Sequence, residues 1–302
     1  MAHSDEQTSA ELDPQAAFGL FSHELRLEIL QALWEAADFS LPFSDLREEV
    51  GERDSGKFTY HLSKLEDQFV KQVDGRYTLQ YAGHRVIDAV QSGVFHESPI
   101  VEPTEIEGHC TACGGQPQFS YENHLATVTC EACTSKLIEY PFDPGGFRDR
   151  TIREATQAFD RRTKYKWRLA SDGVCFVCAG SVETAFTETP PAFDHMDRYD
   201  NYFADDHPAI IELSCRNCSF YSYLPVGVRL LNHPTVISQL GGTDIDIRDR
   251  PLWSLPFITE ADCLTVESAD PWTVHVEAPD AGGPIDVALN RDVEIESVTV
   301  TV

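Results

Sequence analysis

Eight of the nine cysteines in this chain stand in four Cys-x-x-Cys pairs: Cys110/Cys113, Cys130/Cys133, Cys175/Cys178 and Cys215/Cys218. A two-residue spacer lets one tight turn aim both thiolates at a single ion. Two such pairs therefore complete a tetrahedron of sulfur, the geometry that suits d10 zinc. The sixteen residues Gly114 to Thr129 separate the first two pairs, room for one β-hairpin; the thirty-six residues Ala179 to Ser214 separate the second two, a ribbon carrying an insertion. Gly114, Gly115 and Gly180 follow knuckles where the turn is expected to need positive φ. The spacing predicts two structural Zn2+ sites per chain. A redox dithiol occurs once, at the start of a helix, which four copies flanked by turn residues do not resemble. Disulfides and an iron–sulfur cluster are the other readings of such pairs. Cys263 stands alone in a β-like segment and reads as a small buried hydrophobe.

The N-terminal MAHSDEQTSAELD is polar, and no run of about eighteen apolar residues offers a membrane span. A cytoplasmic location with reduced thiols is therefore expected. The net charge of −27 arises from fifty acidic residues spread along the chain against six lysines and seventeen arginines. Acidic surfaces poor in lysine resemble proteins of extreme halophiles, where a Debye length of about 3 Å screens self-repulsion; an acidic mesophile protein is the plainer alternative.

The elements around these residues suggest an α+β multidomain chain: an N-terminal winged helix-turn-helix, zinc-ribbon β-hairpins and a mainly β C-terminal domain. Residues 1–13 are expected to be disordered. From 14 to 95, helices are predicted at Pro14 to Phe21, His23 to Ala36, Phe43 to Val50 and Lys57 to Gln68, then a hairpin about Asp74-Gly75 and a closing helix Tyr81 to Gln91. In the fourth helix Phe58, Leu62, Leu65 and Phe69 form an inward stripe, and Lys57, Tyr60, His61 and Lys64 are expected to reach outward. Residues 53 to 85 carry six basic and four acidic side chains, net +2, inside a 1–95 segment that is net −9. A locally basic helix and wing on an acidic chain points to a polyanion, with the second helix reading base edges and Arg53, Ser55 and Arg76 flanking it. The alternative is a protein-binding winged helix whose basic residues only solvate a face.

SHELRLEIL and SGKFTYHLSKL, with FSDLREEV between them, resemble the ArsR-type winged-helix regulators in the form common in haloarchaea. The resemblance covers about ninety residues. It implies a homodimer on double-stranded DNA, paired through the terminal helices Pro14 to Phe21 and Tyr81 to Gln91. FSDLREEV lacks the paired cysteines of the metal-sensing members, so arsenic or cadmium sensing by that route is not expected. The two cysteine ribbons resemble an uncharacterised C-terminal extension of such regulators.

The first ribbon is assigned to 96–146, a basic helical connector to 147–170, and a second zinc-ribbon and α+β domain to 171–302. The connector holds Arg148, Arg150, Arg153, Arg161, Arg162, Lys164, Lys166 and Arg168 against three acids. It reads either as a second DNA-backbone contact or as a strut whose arginines pair with acidic neighbours. Strands are predicted at Cys263 to Glu267, Trp272 to Glu277, Ile285 to Leu289 and Val293 to Val302, with a shift of phase at Ser297 that suggests a bulge. No nucleophile elbow, phosphate-binding glycine loop or zinc-deaminase signature is present. The expected function is sequence-specific regulation of transcription in a halophilic archaeon, not catalysis, with an effector ligand left unidentified. A basal factor joining a winged helix to a zinc ribbon, or a metal-dependent enzyme fused to a winged helix, is the rival.

Overall fold

The N-terminal elements assemble around one amphipathic helix. A computed structural model describes residues 13–188, 207–240, 249–278 and 284–300. The expected disorder of residues 1–13 thus falls almost wholly outside the described residues, as do the Gly282-Gly283 turn and the last two residues of the final predicted strand. The chain divides into two units, 1–96 and 97–302. Its described residues are α+β, built from helices and four antiparallel sheets. No helix among the described residues is long and apolar enough to cross a membrane.

In the first unit, α1 (Pro14–Gly19) is capped by Asp13, whose carboxylate accepts from Ala16 N. Next, α2 (Glu24–Glu35) buries Leu25, Ile29, Leu30 and Leu33 on one face. After β1 (Ser40–Pro42) and α3 (Phe43–Glu49) comes α4 (Ser55–Ser63). Asp54 caps α4 by accepting from Gly56 N at 2.8 Å and Lys57 N at 3.0 Å. The fourth helix was expected to run to Gln68, but it ends at Ser63. The chain must turn there to deliver Phe69 and Val70 to the core, and it does so through Asp67 at φ 71°, with the Phe69 and Val70 N–H groups both donating to Leu65 O. β2 (Val70–Val73) and β3 (Arg76–Leu79) form a hairpin, and β1 joins it in the order β1-β3-β2. Asp74 and Gly75 both have positive φ, as a tight hairpin turn requires. α5 (Tyr81–Gln91) closes the unit.

The second unit opens with a four-stranded sheet, β4 (Val101–Glu105), β5 (Pro117–Glu122), β6 (Leu125–Cys130) and β7 (Lys136–Pro141), paired in that order. Next comes the 20-residue α6 (Ile152–Ser171), started by a Thr151/Glu154 capping box. Ala155, Phe159, Thr163, Trp167 and Ala170 recur on one side and are buried. The segment expected to connect two ribbons is thus a core helix: Trp167 meets Tyr140 edge-on at 5.4 Å between ring centroids, and Phe159 packs on Phe142 at 5.7 Å. β8 (Val182–Thr187), β9 (Ile210–Cys215) and β10 (Tyr221–Pro225) form a third sheet. Two short helices, α7 (Pro234–Leu240) and α8 (Pro256–Thr259), precede a meander of β11 (Leu264–Ala269), β12 (Trp272–Ala278), β13 (Ile285–Asn290) and β14 (Ile295–Val300). Ser297 pairs with Ala288 and Ile295 with Leu289, so Glu296 is the extra residue of a bulge. Residues on both sides of the boundaries drawn at 146/147 and 170/171 share one hydrophobic core.

Candidate metal centres and a candidate nucleic-acid interface

Each cysteine pair sits on the same backbone loop. The N–H of the first cysteine donates to the carbonyl five residues on: Cys110 to Gly115, Cys130 to Ser135, Cys175 to Gly180 and Cys215 to Phe220, at 2.8–2.9 Å. In three of the loops the residue after the second cysteine takes positive φ, at Gly114, Thr134 and Ala179. This corrects the expectation for Gly115 and Gly180: their freedom is not needed for φ. A Cβ on Gly115 would lie 2.8 Å from Ala132 Cβ and 2.9 Å from Cys130 Sγ, and one on Gly180 would lie 2.9 Å from Asn217 Cγ. The absent side chain lets opposing knuckles close.

Closed, they bring Cys110, Cys113, Cys130 and Cys133 together, and likewise Cys175, Cys178, Cys215 and Cys218, with the four sulfurs of each set within 4.8 Å of one another. Cys110–Cys133 and Cys113–Cys130 are 3.7 and 3.5 Å apart; Cys175–Cys218 and Cys178–Cys215 are 3.6 and 3.5 Å apart. A tetrahedron with metal–sulfur bonds of about 2.3 Å has sulfur–sulfur edges of about 3.8 Å, so each tetrad has the size for one ion. All eight cysteines singled out from the sequence are brought together, and Cys263 lies in neither set. Cys263 is half-buried against the core, where burial pushes its thiol up to about 11.

The thiols of each set differ. Burial pushes Cys110 up to about 12, whereas the Ser135 hydroxyl and N–H draw Cys133 down to about 6. In the second set the Asn217 N–H draws Cys215 down to about 7. Against the pull of the Phe220 N–H, desolvation and the neighbouring thiols push Cys218 up to about 12. In each tetrad the thiols are thus unlike: the hydroxyl and N–H groups around Cys133 and Cys215 favour their thiolate form, the form in which these sulfurs would bind a metal. Backbone N–H groups that orient and stabilise ligand sulfurs, as Gly115 and Gly180 do for Cys113 and Cys178 at 3.4 Å, play the supporting part expected around a metal.

The two sites are copies of one plan, as the reading of two ribbons anticipated, and they share it down to the strand register. β5 begins seven residues after Cys110 and β8 seven after Cys175; β6 ends on Cys130 and β9 on Cys215; β7 begins six residues after Cys130 and β10 six after Cys215. Pro117 pairs with Cys130 and Val182 with Cys215 in the same register. The spacers are unequal, sixteen residues against thirty-six. They differ through an insertion between β8 and β9, of which 189–206 lie outside the described residues. The first knuckle is also held from afar: Ser254 Oγ accepts from His109 N, and Thr111 Oγ1 bonds both Thr259 and Glu260.

In the first unit, Ser55, Lys57, Tyr60 and Lys64 are exposed on α4 or at its C-cap, and Arg53 is exposed just before it. Lys64 Nζ lies 5.5 Å from the Tyr60 ring centroid, and Lys57 pairs with Glu52 at 2.7 Å. His61 does not project outward as expected. It is one turn from Phe58, on the edge of the apolar stripe, and only 5% exposed. Its Nδ1 accepts from buried Arg26 Nε at 3.2 Å, and its ring stacks on His23 at 3.9 Å between centroids. Arg76 stands on β3, bound to Asp38 at 3.0 Å and to Ser40 Oγ at 2.8 Å.

The basic stretch of the second unit is largely neutralised. Arg148 pairs with Glu97, Arg153 with Glu107, Arg162 with Asp143, Lys164 with Asp160 and Arg168 with Asp172. Lys166 lies over the Tyr140 and Phe176 rings, and desolvation brings it down to about 8. Of the two sequence readings of this stretch, acid-paired arginines match these partners.

The family model described as Domain of unknown function (DUF7351) matches residues 107–295, the span that holds both tetrads, and Domain of unknown function (DUF7347) matches residues 14–90. Neither a curated protein nor a solved structure matches the chain.

Proposed function

We propose, for a chain that belongs to the DUF7351 family, a sequence-specific regulator of transcription that binds double-stranded DNA as a homodimer and carries two structural zinc sites. The observation that carries this reading is the exposed face of α4. In a protein of net charge −27 it presents Lys57, Tyr60 and Lys64, with Arg53 ahead of it and the β2–β3 hairpin behind. On this reading residues 14–95 are a winged helix-turn-helix of ArsR type. α3 and α4 are the two helices, the hairpin is the wing, and side chains on α4 meet base edges while Arg53 and Ser55 meet phosphates. Exposed Phe18 on α1 and Tyr81 on α5 supply apolar surface for the partner protomer.

The donor set supports zinc. Four thiolates at tetrahedral spacing suit a d10 ion, and the sulfurs stand too close together to enclose a multi-iron cluster. Four-cysteine coordination leaves no position for a substrate, which favours binding over catalysis. Chromatin immunoprecipitation with sequencing, in a halophilic archaeon carrying the protein, tests the reading. A few discrete operators are expected; occupancy of most promoters would mark a basal factor instead, and no enrichment would remove the DNA-binding role.

A further inference from the structure

Between α6, the end of β4 and the 249–253 segment of the second unit lies a cleft of about 660 Å³. That volume is in the range of small-molecule sites. Its floor is apolar, with Ile106, Pro251 and Trp253 among the lining residues, and Trp253 is fixed by its indole N–H donating to Glu107 O at 2.9 Å. Charges ring it. Arg161 comes from α6, Glu105 from the end of β4, and Asp249 from the 249–253 segment, while Arg153, Glu107 and Asp160 also line the cleft but are already paired, Arg153 with Glu107 and Asp160 with Lys164.

Arg161 is the unusual member. Of the eight basic residues between 148 and 168, five are paired with carboxylates, Arg150 donates to Gly146 O and Lys166 lies over aromatic rings. Among the described residues Arg161 alone of the eight makes no hydrogen bond, ion pair or ring contact, although its charge acts on the buried Asp160 carboxylate beside it, in a chain with more than twice as many acids as bases. Glu105 and Asp249 line the same cleft and also form no ion pair there, so the cleft holds opposite charges apart. A dianion such as phosphate would meet Arg161 but also two carboxylates, whereas an amine alone would leave the guanidinium unmet. A molecule bearing both charges satisfies each, and its apolar part can lie against Trp253 and Ile106.

We propose that this cleft is a binding site for a small zwitterion with an apolar side chain, an amino acid or a short peptide terminus. The proposal does not rest on DNA binding. It is tested by calorimetric titration of the full-length, metal-loaded protein at constant high KCl with L-phenylalanine and with the dipeptide L-phenylalanyl-glycine, which separate the free amino acid from the peptide. N-acetyl-L-phenylalanine, lacking the cation, and phenethylamine, lacking the anion, are the controls. Saturable binding of one zwitterion at or below about 1 mM is expected. Either control should bind at least about tenfold more weakly, as should Arg161→Gln and the double variant Glu105→Gln/Asp249→Asn. All three side chains are exposed, so circular dichroism and metal content should be unchanged. No binding by either zwitterion, equal binding of a control, or undiminished affinity in Arg161→Gln would overturn the assignment.

Discussion

Lys57 and His61 stand one turn apart on α4, one exposed and one buried, and their replacement should be felt in different measurements. Lys57 is held only by a surface pair with Glu52, of a kind worth little to stability. Lys57→Ala and Lys64→Ala should each weaken operator binding about tenfold or more if the side chain reads a base, with the melting temperature barely moved. A fluorescence-anisotropy titration checks this, and unchanged affinity in both would move the contact off α4. His61 is the opposite case. Desolvation, then His23, Arg26 and Lys57, depress its pKa, against a weaker opposing pull from Glu52. Its folded value lies below the unfolded value of about 6.5, so the unfolded chain binds a proton that the folded chain refuses. The stabilisation from neutral His61 is therefore complete above about pH 6.5 and is lost as pH falls through the folded value. In thermal melts the advantage of the wild type over His61→Gln should shrink as pH is lowered from 7 to 5; a constant difference would count against the Arg26–His61 bond as its source.

At the scale of elements, the knuckle loops tie metal binding to folding. Cys110, Cys130 and Cys175 are buried in the same core as the sheets and α6, so losing one site should loosen packing rather than stop a reaction. Cys110→Ser is expected to halve the zinc content measured by mass spectrometry, from two ions per chain to one, and to reduce the near-ultraviolet circular dichroism. Metal content near zero in the wild type would refute the assignment. Gly115→Ala should act in the same direction with every ligand present, because its methyl would meet Ala132 and Cys130. The tetrads were legible in the sequence because sulfur spacing encodes them locally, and the stripe of Phe58, Leu62 and Leu65 because a helical period does. The end of α4 was not, since the demand that stops it at Ser63 is the burial of Phe69 and Val70, a tertiary requirement. Nor was β1, three residues that carry no alternation and form a strand only because β3 is there to pair with. The inward turn of His61 was missed for a related reason. A polar residue at the edge of an apolar stripe goes in or out according to its partner, and Arg26 lies thirty-five residues away.

At the scale of the whole molecule, charge would govern how the proposed regulator meets DNA. Fifty acidic residues against twenty-three basic ones leave few side chains to attract phosphate, and most basic groups of α6 are already spent on carboxylates. An ordinary DNA-binding protein loses affinity steeply with salt, because binding draws its driving force from counterions released by the phosphates. In molar salt that gain is nearly gone. Here a small basic face belongs to a strongly acidic chain, so in dilute buffer repulsion should oppose the approach, and added cations should relieve it faster than they weaken the few phosphate contacts. Specific affinity is therefore expected to be flat or to rise between about 0.5 and 2 M KCl. The measurement is an operator titration at each salt concentration, with circular dichroism recorded in parallel so that folded protein is compared throughout. A steep monotonic loss of affinity while the protein stays folded would show that attraction to phosphate, not relief of repulsion, controls binding.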